Sequence, residues 1–181
     1  MFDVDNFVCD CVDTLNETDC RRAIREVLER AMVNPTDVAS SLDHSEGGLN
    51  ILFRSPQLTI LNVVWAPHMS LQPHDHRMWA AIGIYAGQED NTFFRRQPSG
   101  LTRSGGKELR SSDVVVLGNS TIHGVSNPSH HYTGAVHIYG GDFVATPRSQ
   151  WDPKTFEEQP YSLDGILSQF AAANAEAKSL E

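Results

Sequence analysis

The chain has 181 residues, with 14 Lys and Arg against 23 Asp and Glu and a formal charge of −9. That balance argues against nucleic acid or an anionic membrane as the main partner, since both call for a basic footprint. No apolar run approaches a membrane span, and Met1-Phe2-Asp3-Val4-Asp5-Asn6 has neither the basic region nor the apolar core of a signal peptide. Cys9, Cys11 and Cys20 are odd in number and confined to the N-terminal stretch, which predicts a reduced, cytoplasmic protein.

Residues 1–45 read as helical. Thr18 or Asp19 can cap a helix through Met32, with Ile24, Val27, Leu28 and Ala31 as its apolar stripe and Arg21, Arg22, Arg25, Glu26, Glu29 and Arg30 on the wet side. Asn34-Pro35 opens a short helix to about Leu42, and Glu46-Gly47-Gly48 is a break. From Leu49 the pattern changes to strands, at about 49–54, 57–65, 68–74, 76–86, 91–97, 106–110, 113–117, 121–126 and 133–140. Many short strands with regular turn signals predict an all-β sandwich or barrel over 49–147. In the extension 148–181, Ser162 or Asp164 starts a last helix, and the Ala-rich tail from Ala171 is expected to fray.

The chemistry centres on Pro73-His74-Asp75-His76. On a strand, residues two apart point to one face, so His74 and His76 offer adjacent imidazoles while Asp75 points away. Imidazole is a common ligand for first-row transition metals. His123 follows the apolar strand 113–117 and a Gly-Asn-Ser turn, and is the third candidate ligand.

His74-Asp75-His76, Gly87 and His123-x-x-x-Asn127 resemble the two motifs of the cupins. The usual cupin Glu, four or five residues after H-x-H, is replaced by Ala80 or Ala81, and Glu89 lies too far along. A three-His cupin without that Glu is similar to the thiol dioxygenases, typified by cysteine dioxygenase and mercaptopropionate dioxygenase. Ala135-Val136-His137-Ile138-Tyr139 resembles their Ser-x-His-x-Tyr segment, with Ala135 in place of Ser. The likeness covers roughly residues 49–147.

The resemblance implies a single cupin domain over residues 1–181, an all-β core (double-stranded β-helix or jelly-roll barrel) with N-terminal helices and a C-terminal helix. It implies iron(II) on His74, His76 and His123, though imidazole suits zinc, copper and nickel as well. It implies addition of both atoms of O₂ to the sulfur of a small thiol, with His137 and Tyr139 as catalytic residues. The family holds a substrate carboxylate by an Arg, or by a Gln with a more distant Arg. Arg54 is the nearest match to the family's first-strand Arg, Arg77 is its rival, and Trp79 is a candidate pocket wall. No Cys follows Cys20, so the family's Cys–Tyr cross-link cannot form. A metal-dependent cupin lyase or isomerase and a non-enzymatic small-molecule-binding cupin are the competing readings.

Overall fold

The computed structural model describes residues 1–98 and 100–179. Helix α1 (Val4–Asp13) is capped by the Asp3 carboxylate, and a 3₁₀ turn (Thr14–Asn16) leads to α2 (Cys20–Met32), capped by Asp19. Arg22–Glu26 and Arg25–Glu29 pair at i,i+4 along the exposed side of α2, as the charge pattern predicts. Helix α3 (Pro35–Ser41) has proline in its first turn.

The strands are β1 (Gly48–Arg54), β2 (Thr59–Trp65), β3 (Ser70–Asp75), β4 (Ala80–Ala86), β5 (Gln88–Gln97), β6 (Gly100–Arg110), β7 (Val114–Leu117), β8 (Ile122–Ser126), β9 (Thr133–Tyr139), β10 (Ser149–Trp151) and β11 (Glu158–Pro160). They form two sheets, β1-β2-β9-β4-β7 and β11-β10-β3-β8-β5-β6, with every pairing antiparallel. Helix α4 (Leu163–Lys178) closes the chain. This is the double-stranded β-helix, a jelly roll with helices before and after it.

Alternation along β9 sorts its side chains. Val136 and Ile138 point outward and pack with Ile24, Leu28, Met32, Val38, Ile60 and Ala81 under the helices. Ala135 and Tyr139 point inward with Leu61, Val63, Trp65, Ile82 and Val125. His137 shares that inner face, flanked in register by Leu61 of β2 and Ile82 of β4.

Three expectations are corrected. The strand placed at 76–86 starts at Ala80, because Arg77 turns the chain with φ +58°. The strand placed at 91–97 begins at Gln88, directly after Gly87 at φ +76°; a Cβ on Gly87 would lie 2.3 Å from Thr133 Oγ1, so glycine is required there twice over. The tail does not fray at Ala171: α4 runs to Lys178, held by a double hydrogen bond between Asn174 and the Gly47 backbone (2.8 and 2.9 Å). Among the described residues no helix is long and apolar enough to cross a membrane.

Candidate metal centre

His74 lies on β3 directly opposite His123 of β8, and His76 follows β3 by one residue. The three imidazoles meet inside the barrel at 4, 2 and 1% exposure for His74, His76 and His123. His76 Nε2 lies 3.2 Å from both His74 Nε2 and His123 Nε2. The ligand atoms of the three rings all lie within 4.8 Å of one another.

The outer nitrogens are fixed. His74 Nδ1–H donates to the Gln72 carbonyl (3.0 Å), and His123 Nδ1–H donates to Asn91 Oδ1 (2.6 Å). Both rings therefore turn a bare Nε2 lone pair toward the centre. Burial lowers the pKa of all three rings: His74 falls to about 4, and His76 and His123 go well below the usual value, His76 pushed further by His123 and both by His74. Neutral, converging lone pairs form a donor set that fits a divalent cation, and these three residues can hold one.

The metal-free protein should consequently be acid-sensitive. An unfolded histidine protonates near pH 6.5, whereas folded His74 does so only near 4, so the unfolded chain binds more protons in between. Stability is fully present above about pH 6.5 and falls as pH drops toward 4, His74 alone accounting for about 3 kcal/mol. Urea midpoints of chelator-treated protein across that window check this. A flat profile would show that the rings are not held neutral.

Asp75 points away from the three rings, as alternation requires. Its carboxylate takes Arg77 Nε (2.7 Å) and the Ser149 backbone N–H (2.9 Å), tying the end of β3 to β10. Behind the rings lies a second buried polar group. Glu89 is fully buried and accepts from Trp65 Nε1 (2.7 Å), Asn91 Nδ2 (2.9 Å) and His137 Nε2 (3.1 Å). Burial opposes ionisation of Glu89, but His137 and the three hydrogen bonds outweigh it and hold its pKa below the ordinary value. His137 Nδ1 in turn accepts from the Tyr139 hydroxyl at 3.0 Å. Burial pushes the Tyr139 pKa well up, so the phenol keeps its proton. The Tyr139 ring packs edge-on to His76 with centroids 5.0 Å apart. Ala80 pairs with Tyr139 across β4–β9, and its small side chain leaves the space beside His76 to the phenol ring.

The cavity at the three rings measures about 20 Å³ and is walled by Leu49, Val63, Leu71, Val125, Phe143 and Ile166, with Tyr139, Tyr161 and His137 adding polar atoms. Room on that scale holds about one water molecule.

The three expected ligands come together, and His137 and Tyr139 stand beside them. The expected substrate residues do not. Arg54 is spent at the surface on a two-point ion pair with Asp142 (2.9 and 3.0 Å). Arg77, turned outward by its positive φ, lines an open outer groove with Arg95 and Arg96. Trp79 packs in the outer layer under the helices, against Gly140. A buried cation, Arg148, in the loop between β9 and β10, packs on two residues of the chamber wall, Phe143 and Tyr161. It is 7% exposed, and its guanidinium lies 4.0 Å from the ring centre of Phe143 and 3.8 Å from that of Tyr161. Its Nη1 donates to the Phe143 and Thr146 carbonyls, while buried Nε and Nη2 have no partner among the described residues. Glu89, Asn91 and Arg148 carry no sequence signal beyond the i,i+2 spacing of the first two.

No family model matches the sequence. Among solved structures, a Bacillus halodurans protein aligns at TM-score 0.50 and 10% identity, over 59% of this chain and 77% of that one. A cupin superfamily protein from Desulfitobacterium hafniense aligns at 0.47 and 18%, over 58% and 88%. A Klebsiella pneumoniae protein with a double-stranded β-helix domain aligns at 0.45 and 11%, over 56% and 77%. At such identities the likeness is one of fold. Fold and site together define the class: a double-stranded β-helix carrying three buried histidines able to hold a metal ion.

Proposed function

We propose that this protein is a non-haem iron(II) enzyme of the thiol dioxygenase kind, acting on a small thiol that bears a carboxylate. The observation that carries the reading is a centre of three neutral imidazoles with no carboxylate among them, set against a buried, protonated phenol. Iron(II) held there would supply a redox centre at which a thiol is deprotonated and O₂ is activated. In the net reaction RSH + O₂ gives RSO₂H: both oxygen atoms form bonds to sulfur, sulfur loses four electrons and O₂ gains them.

The chain's own residues have distinct parts. His74, His76 and His123 bring no negative charge, which leaves charge room for an anionic thiolate. Nε and Nη2 of Arg148, without a hydrogen-bond partner among the described residues, are donors suited to a carboxylate. Tyr139 holds a proton at its hydroxyl beside His76, where it can donate to charge developing on oxygen. His137 orients that hydroxyl through Nδ1, and Glu89 holds His137. The apolar wall of Leu49, Val63, Leu71, Val125 and Ile166 keeps bulk water out.

The test is iron-loaded protein given a panel of small thiols with isotopically labelled O₂. The expected product is a sulfinate with both oxygens labelled, formed only when thiol is present. Unlabelled product, or turnover under strict anaerobiosis, would overturn the reading in favour of a cupin lyase or isomerase.

A further inference from the structure

We propose that Glu89, which touches neither the ion site nor any of its three ligands, sets the tautomer of the ligand His123 by dictating which way the Asn91 amide faces. The proposal rests on the reading of His74, His76 and His123 as ligands, and not on the reaction.

The argument is one of donors and acceptors. An ionised carboxylate can only accept. Glu89 Oε1 faces Asn91 at 2.9 Å, so Asn91 must offer its NH₂ there. The amide carbonyl is then left for His123, 2.6 Å away, and a carbonyl can only accept. His123 must carry its proton on Nδ1, which bares Nε2 toward His74 and His76. With Glu89 ionised each step follows from the one before, and none needs the ion to be present. The other carboxylate oxygen holds the second arm: Glu89 Oε2 takes Trp65 Nε1–H and His137 Nε2–H, which leaves His137 Nδ1 facing the Tyr139 hydroxyl. One carboxylate fixes a ligand on one side and the phenol's partner on the other. All members are buried at 0 to 3% exposure, so water is not at hand to replace a lost partner.

Glu89→Gln exposes the logic, because it keeps shape and adds a donor. The indole N–H of Trp65 can only donate, so the new carbonyl must stay on the Trp65 side. The new NH₂ then faces Asn91, which has to turn its carbonyl toward it. Asn91 now presents NH₂ to His123, whose proton moves to Nε2, the atom that should bind metal. A second change restores the order: in Glu89→Gln/Asn91→Asp, the carboxylate at position 91 can accept both from the new amide at position 89 and from His123 Nδ1–H.

Two readouts test this, neither requiring thiol or oxygen. Long-range ¹⁵N–¹H imidazole spectra of metal-free protein report the His123 tautomer, and chelator competition with zinc reports affinity. We expect Nδ1–H in the parent, Nε2–H in Glu89→Gln with zinc affinity about 10–100-fold lower, and a return of both toward parent values in the double variant. An unchanged tautomer and affinity in Glu89→Gln would overturn the proposal, as would a double variant no better than the single one. Should Glu89→Gln not fold, the parent decides alone: a metal-free parent with Nε2–H on His123 overturns it. A protein that passes these tests yet oxidises no thiol disposes of the proposed reaction only.

Discussion

Alanine in place of His74, His76 or His123 should reduce bound divalent metal from one ion per chain to a small fraction of that, with affinity falling at least about 100-fold, or roughly 3 kcal/mol. Each ring supplies one nitrogen to the converging set, and the fourth imidazole of the chamber, His137, is engaged by Tyr139 and Glu89. The cavity wall beyond is largely Leu, Val, Ile and Phe, and Glu89 is occupied by its three donors. His68 serves as the control. It is exposed and hydrogen-bonded to His130 at 2.9 Å, outside the chamber, so His68→Ala should leave metal content at the parent level. Elemental analysis of folded protein, with secondary structure checked in parallel, reads the result. Full metal retained by all three alanine variants would place the binding site elsewhere.

These ligands are legible because His74 and His123 sit on strands and His76 lies one residue past the end of β3. The two-residue period puts His74 beside His76, and it also separates His137 and Tyr139 from Val136 and Ile138, whose apolar side faces the helices. Glu89 and Asn91 share that period, yet Gln88-Glu89-Asp90-Asn91 is polar on both faces. A run without an apolar face reads as loop, so the pattern places the strand only from Asn91, although it begins at Gln88. What makes these polar residues interior is a set of partners distant in sequence, Trp65, His123 and His137. Periodicity cannot report such partners. Arg77 shows the opposite case: strand alternation turns it away from the metal, and the left-handed residue that ends the strand leaves it outside in any event. Arg148 belongs to an irregular segment, and its reach depends on a long side chain lying across the rings of Phe143 and Tyr161, which no local pattern encodes.

Removal of the Arg148 charge should be felt by the acid group of the substrate. Arg148 is a buried cation with two donors unpaired among the described residues and two aromatic faces against it. Its charge already bears on His74 and His76, where it helps lower both pKa values. A substrate carboxylate would give it the counter-charge it lacks, and a buried pair broken on one side typically costs about 2–5 kcal/mol. Arg148→Gln should therefore lower kcat/KM for a small mercapto acid by about 30–5000-fold, most of it through KM. Arg148→Lys should fall between, since lysine keeps the charge without the planar fork. The discriminating substrate is the thiol alcohol of equal length, which has no charge to place. The parent should prefer the acid strongly, and Arg148→Gln should erase the preference while leaving kcat/KM for the alcohol within about threefold of the parent. Metal content measured on the same samples should not change, as Arg148 contributes no ligand. If acid and alcohol decline by the same factor, Arg148 is a packing element between Phe143 and Tyr161 and the carboxylate is held by another group.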